Sequence, residues 1–239
     1  MRLDRLVGEA LSSRSKAREA IAKGRVTVGG ACVKNAAHSV SDGDVVMLDG
    51  AVIGAREPLH LMLYKPAGCV TAREDARFST VFDLLPAALR TADLCAVGRL
   101  DRDVTGLLLL TEDGQLAHRL ISPRFHVEKV YLARVSGRLV EADAARMAEG
   151  IPLSDFTARP ARLEILEAAE AGSLARLIVT EGKFHQVKRM FQAVGHPVET
   201  LHRLSVGGVP LDPALQPGAV RALTNEELER LRALTEMSP

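Results

Sequence analysis

The chain has 239 residues and a formal net charge of +1; 47% of its residues are hydrophobic and 26% are charged. This composition is typical of a globular protein, long enough for one medium domain and a second small one. No apolar run approaches the roughly 20 residues that span a bilayer, and the N-terminus lacks the apolar segment of a secretory signal, so we expect a cytoplasmic protein with no membrane partner. The three cysteines are odd in number and far apart, which fits neither a disulfide framework nor a paired-cysteine metal site.

The first 35 residues form a basic segment within this nearly neutral chain. They contain eight Lys and Arg residues against three acidic ones. Such a patch can bind phosphate groups through counterion release, and a solvated helix face is the alternative interpretation. Arg14 and Arg18 lie one turn apart on a predicted helix, so their side chains share a face and can reach one phosphate backbone.

The same segment has the pattern of a compact module of helices and short strands. Apolar residues recur at helical spacing, and turn residues separate short β-branched runs. The predicted elements are a helix over 2–11, a helix over 14–23 capped by Ser12 or Ser13 and ended by Gly24, a hairpin of residues 25–28 and 31–34 across Gly29-Gly30, and a strand over 45–48 after an Asp-Gly-Asp turn at 42–44.

This succession, with Gly-Arg-Val-Thr-Val-Gly-Gly at residues 24–30, resembles the small RNA-binding module that a small-subunit ribosomal protein shares with some tRNA synthetases. The resemblance covers about residues 1–49. It implies that the basic patch contacts RNA. The candidate RNA-binding residues are Arg14, Lys16, Arg18, Lys23 and Arg25.

Residues 50–60 lack a strong periodic pattern and contain Gly54 and Pro58, which predicts a linker between two domains. We place an N-terminal domain at residues 1–55 and a second domain at 59–236. The second domain opens with a predicted apolar strand over 59–64, which the turn Lys65-Pro66-Ala67-Gly68 breaks.

Residues 98–111 read Gly-Arg-Leu-Asp-Arg-Asp-Val-Thr-Gly-Leu-Leu-Leu-Leu-Thr and set one carboxylate, Asp101, between two arginines. The four leucines predict a short buried strand, so Asp101 lies on a loop anchored to the core. For a lone Asp beside Gly and Thr, a turn-capping role is the alternative interpretation.

Two further segments carry polar residues at regular spacing. Residues 128–135 alternate as a strand, with Lys129 and Tyr131 on one face. Residues 181–191 read Glu-Gly-Lys-Phe-His-Gln-Val-Lys-Arg-Met-Phe and predict a helix over 186–194 with basic side chains near its N-terminal end, where anions bind.

These motifs, in this order, resemble those of the RsuA/RluB group of pseudouridine synthases. The resemblance implies that Asp101 is the nucleophile and that Tyr131 stacks on the target base and assists proton removal. It also implies that Lys188 pairs with Asp101, with Lys183 as the competing lysine. The candidate substrate-binding residues are Arg99, Arg102, Lys65, Lys129, Lys183, His185, Gln186 and Arg189.

The resemblance implies isomerisation of uridine to pseudouridine in RNA, without net redox change or hydrolysis, so we expect no cofactor. The scattered histidines and the lack of phosphate-loop, serine-elbow and His-Glu-x-x-His motifs predict no metal. Three routes stay open for Asp101: attack on the base, attack on the sugar, or assistance to a glycal. Arg102 is a candidate to fill the vacated stack or to hold its phosphate.

Residues 1–4, 34–37, 122–124 and 188–195 are most similar to the branch that acts on 16S ribosomal RNA. We therefore expect a monomer whose partner is ribosomal RNA or a ribosome assembly intermediate. A 23S ribosomal RNA synthase and a non-catalytic RNA-binding assembly factor are the alternatives.

The expected fold class is α+β. Short strands interleaved with a few helices, without regular β-α-β alternation, predict a mixed, mainly antiparallel sheet flanked by helices in the second domain. Thr224 and Glu227 form a capping box that opens a last helix.

Overall fold

A computed structural model describes residues 1–41, 44–53 and 58–236, with side chains placed as far as residue 235. The chain divides into two compact units, residues 1–57 and 58–239. Each unit has its own hydrophobic core.

The first unit packs two helices on a small antiparallel sheet with strand order β2-β1-β3-β4. The side chain of Ser13 caps the second helix by accepting a hydrogen bond from the Lys16 amide. Leu3, Leu6 and Ile21 from the helices are buried in one cluster with Val26 and Val46 from the sheet. The elements are α1 (Leu3–Ala10), α2 (Arg14–Ala22), β1 (Val26–Val28), β2 (Ala31–Cys32), β3 (Val46–Leu48) and β4 (Ala51–Ile53).

Residues 50–53, which were expected to belong to the linker, instead form part of a turn and a strand. Asp49 and Gly50 both have positive φ, 52° and 80°, and form a two-residue hairpin turn. The turn folds β4 back onto β3, where Met47 pairs with Val52. An Asp-Gly pair is a strong hairpin signal, and here it outweighs the missing periodicity. Residues 42–43 of the predicted Asp-Gly-Asp turn and residues 54–57 of the predicted linker lie outside the described residues.

The second unit is built on a sheet with strand order β11-β12-β8-β13-β7-β5-β15, and β6 and β14 extend it beside β7 and β13. Its strand pairs are antiparallel except for the parallel pair β13–β7, so the predicted mixed, mainly antiparallel sheet is confirmed. Its strands are β5 (His60–Lys65), β6 (Cys95–Ala96), β7 (Thr105–Thr111), β8 (Lys129–Val135), β9 (Ile151–Pro152), β10 (Thr157–Ala158), β11 (Arg162–Ala169), β12 (Gly172–Val179), β13 (Val198–Val206), β14 (Val209–Pro210) and β15 (Val220–Ala222).

Helices cover both faces of this sheet, and β7 contacts both layers. Leu108 and Leu110 belong to a cluster that includes residues of α4 and α5, whereas Leu107 and Leu109 belong to one that includes residues of α3 and α6. A strand buried on both faces reads as a continuous apolar run, which explains the four leucines. The helices are α3 (Gly114–Ile121), α4 (Glu141–Glu149), α5 (Gln186–Ala193) and α6 (Asn225–Glu236), the last opened by the predicted capping box.

Gly106 allows the close approach of β7 and β13. Its φ is +106°, and a Cβ atom there would lie 2.3 Å from the carbonyl oxygen of Arg203. Only glycine fits this conformation and this space. The parallel pairing of Gly106 with Arg203 brings the middle of β13 beside the start of β7, where the Asp101 loop ends.

Candidate active site

Residues that follow β5 form hydrogen bonds with the backbone of the loop that carries Asp101. The amide of Gly68 donates to the carbonyl of Arg102 at 2.8 Å. The Thr71 hydroxyl donates to the carbonyl of Leu100 at 2.9 Å and accepts from the Leu100 amide at 3.1 Å. These bonds fix the backbone on both sides of Asp101.

Lys65, at the end of β5, lies under the same loop. Its side chain is fully buried, and its ammonium donates to the carbonyls of Pro66, Arg102 and Val104 at 3.0, 3.3 and 2.8 Å. Burial lowers the pKa of Lys65. Because an ammonium has three donors, these contacts occupy all of them. Lys65 therefore supports the loop and does not make the substrate contact that was expected of it.

Two nitrogen-bearing side chains, His185 and Lys188, face the Asp101 carboxylate, whose side chain is 28% exposed. The Nε2 atom of His185 lies 3.4 Å from one carboxylate oxygen, and the Nζ atom of Lys188 lies 3.5 Å from the other. The Nζ atom of Lys183 lies instead 3.8 Å above the ring centroid of Phe156. Of the two competing lysines, Lys188 is the one beside Asp101.

Lys188 has a second and closer carboxylate partner that sequence reasoning missed. Its ammonium donates to both carboxylate oxygens of Asp103 at 2.7 and 2.8 Å, and this hydrogen bonding lowers the pKa of Asp103. The sequence feature that could have indicated this partner is a second acidic residue, Asp103, two positions after Asp101 on the same loop. Lys188 is thus shared between two carboxylates.

The turn before α5 presents His185 to Asp101. His185 has a φ of 50°, and its ring stacks on the exposed ring of Phe184 at 3.8 Å. Gln186 is buried: its amide oxygen accepts from the Lys183 amide at 3.0 Å, and its amide nitrogen donates to Glu181 at 2.8 Å. Gln186 therefore shapes the turn and is not free for the substrate contact that was expected of it.

A small pocket of about 60 Å³ lies between Asp101 and Tyr131. Tyr131 is nearly buried, and its hydroxyl oxygen accepts a hydrogen bond from Nη1 of Arg203 at 3.4 Å. The pocket places the predicted nucleophile, tyrosine and lysine around one space. Its lining includes Arg99, Asp101, Tyr131, His185, Lys188 and Leu201.

A larger cavity of about 710 Å³ opens on the other side of Asp101. Basic and aromatic side chains lie at one part of it: the Arg102 guanidinium covers the ring of Phe78 at 4.2 Å, and Phe184 is 75% exposed. Residues such as Val70, Leu94 and Ile121 form an apolar wall. The small pocket and the large cavity share the lining residues Arg99, Leu100, Asp101, Gly182, Lys183 and His185.

Two other expected substrate contacts have different positions. Lys129 is buried, and its ammonium donates to the carbonyls of Leu120 and Val127 at 3.2 and 2.8 Å; burial lowers its pKa to about 8. Arg189 binds the side chains of Asp155 and Ser154. Lys129 is thus held by backbone carbonyls, and Arg189 is held by a carboxylate and a hydroxyl. Both side chains stabilise the structure around the site.

The five candidate RNA-binding residues of the first unit fall into two groups. Arg18, Lys23 and Arg25 form ion pairs with Asp4, Glu19 and Asp49. The exposed side chains of Arg14 and Lys16 form no hydrogen bond or ion pair with described residues. The charge of Arg14 contributes to the lowered pKa of Asp4, but neither side chain of this second group is held by a direct partner among the described residues, so both can reach an anion.

The described residues offer neither a metal cluster nor a membrane span. Within residues 1–41, 44–53 and 58–236, no group of three or more His, Cys, Asp or Glu side chains is arranged to hold a metal ion. Over the same ranges, no helix is long and apolar enough to cross a membrane.

Comparisons with known proteins show the family to which the chain belongs. Residues 60–193 match the family model described as RNA pseudouridylate synthase, and residues 1–46 match the S4 domain. The chain belongs to the RNA pseudouridylate synthase family. Members of this family are isomerases that act on uridine in RNA, and the expectation of such an enzyme is confirmed.

Full-length relatives of this pseudouridine synthase are known from several bacteria. The chain is 42% identical to the ribosomal small subunit pseudouridine synthase A of Escherichia coli strain K12, over 95% of this chain and 98% of that protein. It is 38% identical to an uncharacterized RNA pseudouridine synthase of Aquifex aeolicus, over 100% and 99%. A crystal structure of a pseudouridylate synthase superposes with a TM-score of 0.68 at 39% identity, over 97% and 99% of the two chains.

Proposed function

We propose that this protein converts one specific uridine of 16S ribosomal RNA to pseudouridine, with Asp101 as the nucleophile. The observation that carries the proposal is the position of Asp101, partly exposed on a fixed loop between His185, Lys188 and a pocket lined by Tyr131. The 42% identity to small-subunit synthases over nearly the whole chain supports the choice of RNA.

The reaction breaks the N1–C1′ bond of uridine and forms a C5–C1′ bond. The proton on C5 leaves, and N1 gains a proton, so no cofactor is consumed. A carboxylate can act as a nucleophile, and the Nζ atom of Lys188 lies 3.5 Å from that of Asp101. Attack on the base, attack on the sugar and assistance to a glycal all require this carboxylate beside the glycosidic bond.

The small pocket is the proposed place for the target base. A uridine within folded RNA is stacked and inaccessible, so it must be flipped out to meet Asp101. Tyr131 and Leu201 provide apolar walls for the flipped base. The hydroxyl of Tyr131 is then the group that takes part in removing the C5 proton.

The large cavity is the proposed path for the RNA around the flipped base. Arg99, Arg102 and Lys183 line it and can neutralise phosphates, and the exposed ring of Phe184 offers a stacking surface. The S4 domain adds Arg14 and Lys16 as further cationic contacts. The small pocket thus provides the chemistry, whereas the cations that line the large cavity and those of the S4 domain bind the RNA backbone.

Mapping of pseudouridines in ribosomal RNA tests this function. Cells that lack the protein should lack one pseudouridine of 16S RNA, and the gene for the wild-type protein should restore it. The Asp101→Asn variant should bind RNA normally but fail to restore the modification, since the amide keeps the shape and loses the nucleophile. Loss of a 23S site instead would change the substrate, no loss at all would overturn the function, and Asn turnover within about tenfold of wild type would overturn the role of Asp101.

A further inference from the structure

Arg203 is a buried cation next to the pocket. It lies on β13 and is 3% exposed. Its Nε atom donates to the carbonyl of Leu107 at 2.7 Å, and its Nη1 atom donates to the hydroxyl oxygen of Tyr131 at 3.4 Å. Its Nη2 atom is buried and has no hydrogen-bond partner among the described residues. No carboxylate of those residues forms an ion pair with it.

Two other buried cations lie close enough to feel this charge. The charge of Arg203 adds to the effect of burial in lowering the pKa values of Lys65 and Lys129. The ammonium groups of both lysines donate to backbone carbonyls. Positive charge therefore lies under the pocket, where Asp101 and Asp103 offset part of it at Lys65, and burying such charge is costly for folding.

Stability does not explain why a guanidinium is placed there. An apolar side chain would avoid the desolvation cost and would bury no nitrogen without a partner. The carbonyl of Leu107 on β7 needs one hydrogen-bond donor, but a neutral donor would satisfy it as well as a charged one. The remaining contacts of the Arg203 side chain are with Tyr131, whose hydroxyl oxygen accepts its hydrogen bond and whose ring centroid lies 6.0 Å from the guanidinium carbon.

We propose that Arg203 is a positioning residue for the proton step: it holds the hydroxyl oxygen of Tyr131 in place and stabilises negative charge on that oxygen. This inference rests on the proposed function. A hydrogen bond donated by a cation is stronger than a neutral one and favours an anionic acceptor. It also directs the remaining lone pairs of the tyrosine oxygen away from Arg203.

The proton balance of this step is closed. After the C5–C1′ bond has formed, the hydroxyl oxygen of Tyr131, held by Arg203, takes the proton from C5 while its own proton passes to solvent. The electron pair of the C5–H bond enters the ring as a C5=C6 bond, and N1 receives a proton from solvent. Tyr131 ends as a neutral phenol, with no oxidant or co-reactant consumed.

Single-turnover kinetics with an RNA substrate deuterated at C5 of the target uridine test the proposal. Arg203→Met should lower the rate about 10²-fold and leave RNA affinity within about twofold, because the effect lies in a proton transfer. The deuterium isotope effect should increase, since removal of the C5 proton becomes slower than the other steps. Arg203→Lys keeps the charge and one donor and should recover part of the rate.

Two controls separate this role from a purely structural one. Arg176→Met removes a half-exposed arginine on β12 that pairs with Glu164, and it should leave the rate and the isotope effect unchanged. In a Tyr131→Phe background, Arg203→Met should cost less than about threefold, because residues that act as a unit are not additive.

Three results would overturn the inference. They are an Arg203→Met rate equal to wild type, a rate loss with the isotope effect of wild type, or an equal loss with and without the Tyr131 hydroxyl. If Arg203→Met fails to fold, Arg203→Lys decides, because an unchanged rate and isotope effect in that folded variant would overturn the proposal. If wild-type protein forms no pseudouridine, the proposed function fails instead.

Discussion

At the residue scale, the main feature of the site is that Asp101 and Asp103 share one lysine, Lys188. Lys188 donates to Asp103 and also lies 3.5 Å from Asp101, so one ammonium is shared between two carboxylates. His185 adds a second nitrogen at 3.4 Å from Asp101. The surroundings of the Asp101 carboxylate therefore depend on the position of α5, on which Lys188 lies.

Replacing the two competing lysines distinguishes their roles. Lys188→Met should lower the single-turnover rate by about 10²-fold or more, because it removes a charge next to the reacting carboxylate. Lys183→Met removes a cation that lies on Phe156 and should change the rate by less than about fivefold. The measurement is pseudouridine formation at saturating protein. Equal losses in the two variants would contradict the assignment of Lys188.

Lys129 makes a prediction about stability and pH. Burial lowers its pKa in the folded protein to about 8, from 10.5 in the unfolded chain. Below pH 8 both states carry the proton, whereas between these values the unfolded state binds more protons than the folded state. The free energy of unfolding contributed by Lys129 should therefore rise with pH from about 8 to 10.5, by at most about 3 kcal/mol.

Urea denaturation at pH 7 and pH 10 checks this sign. The wild-type protein should gain stability relative to the Lys129→Met variant on going to the higher pH, because methionine has no proton to lose. The variant also leaves the carbonyls of Leu120 and Val127 without a donor, but that loss does not change with pH. A constant difference between the two proteins would contradict the prediction.

At the element scale, the meeting of β7 and β13 arranges the site. β7 starts where the Asp101 loop ends, and β13 contributes Leu201 to the pocket and Arg203 to Tyr131. Their parallel pairing is short and depends on the missing side chain of Gly106. The geometry of the site therefore depends on the close contact between the backbones of β7 and β13 at Gly106.

Gly106→Ala tests this dependence. The substitution forces a side chain into positive φ and onto the backbone of Arg203, which should lower the free energy of unfolding by about 3 kcal/mol or more. Gly114→Ala is the matched control, because nothing lies within 4 Å of a Cβ atom at the start of α3, and it should be neutral or slightly stabilising. Thermal unfolding of both variants measures the difference. Similar melting temperatures would show that β7 and β13 do not require the glycine.

At the scale of the whole molecule, the near-zero net charge hides local differences. Of the basic residues on and next to α2, Arg18, Lys23 and Arg25 are balanced by acids, while Arg14 and Lys16 are exposed and make no such pair with described residues. Cations that already have carboxylate partners release fewer counterions when they meet phosphate. The affinity of the S4 domain for RNA should therefore depend on Arg14 and Lys16 more than on their neighbours.

The salt dependence of binding to 16S RNA checks this distribution. Replacing Arg14 and Lys16 together by alanine should reduce the slope of log K against log salt by about 0.7 to 0.9 for each phosphate that the protein no longer neutralises. The paired control, Lys23→Ala with Arg25→Ala, changes the formal charge equally and should reduce the slope less. Equal reductions, or none in either variant, would contradict the proposed use of the exposed pair.

Local patterns in the sequence were sufficient for the elements and for the residues that share one motif. Helical spacing predicted α1, α2 and α5, the leucine run predicted β7, and alternation placed Tyr131 on a strand. The family resemblance placed Asp101, Tyr131 and Lys188 together, and the structure brings these three side chains around one pocket. Periodicity and motifs succeed here because they depend on neighbours within a few residues.

The tertiary structure alone decided which side chains meet across the chain. Lys188 is 85 residues from Asp103, and Arg203 is 72 residues from Tyr131. Lys65 and Lys129 were expected to bind substrate, but in the folded sheet their buried ammonium groups donate to backbone carbonyls. Such contacts depend on which strand ends become neighbours, and that is determined by the packing of the whole sheet rather than by the pattern of any one segment.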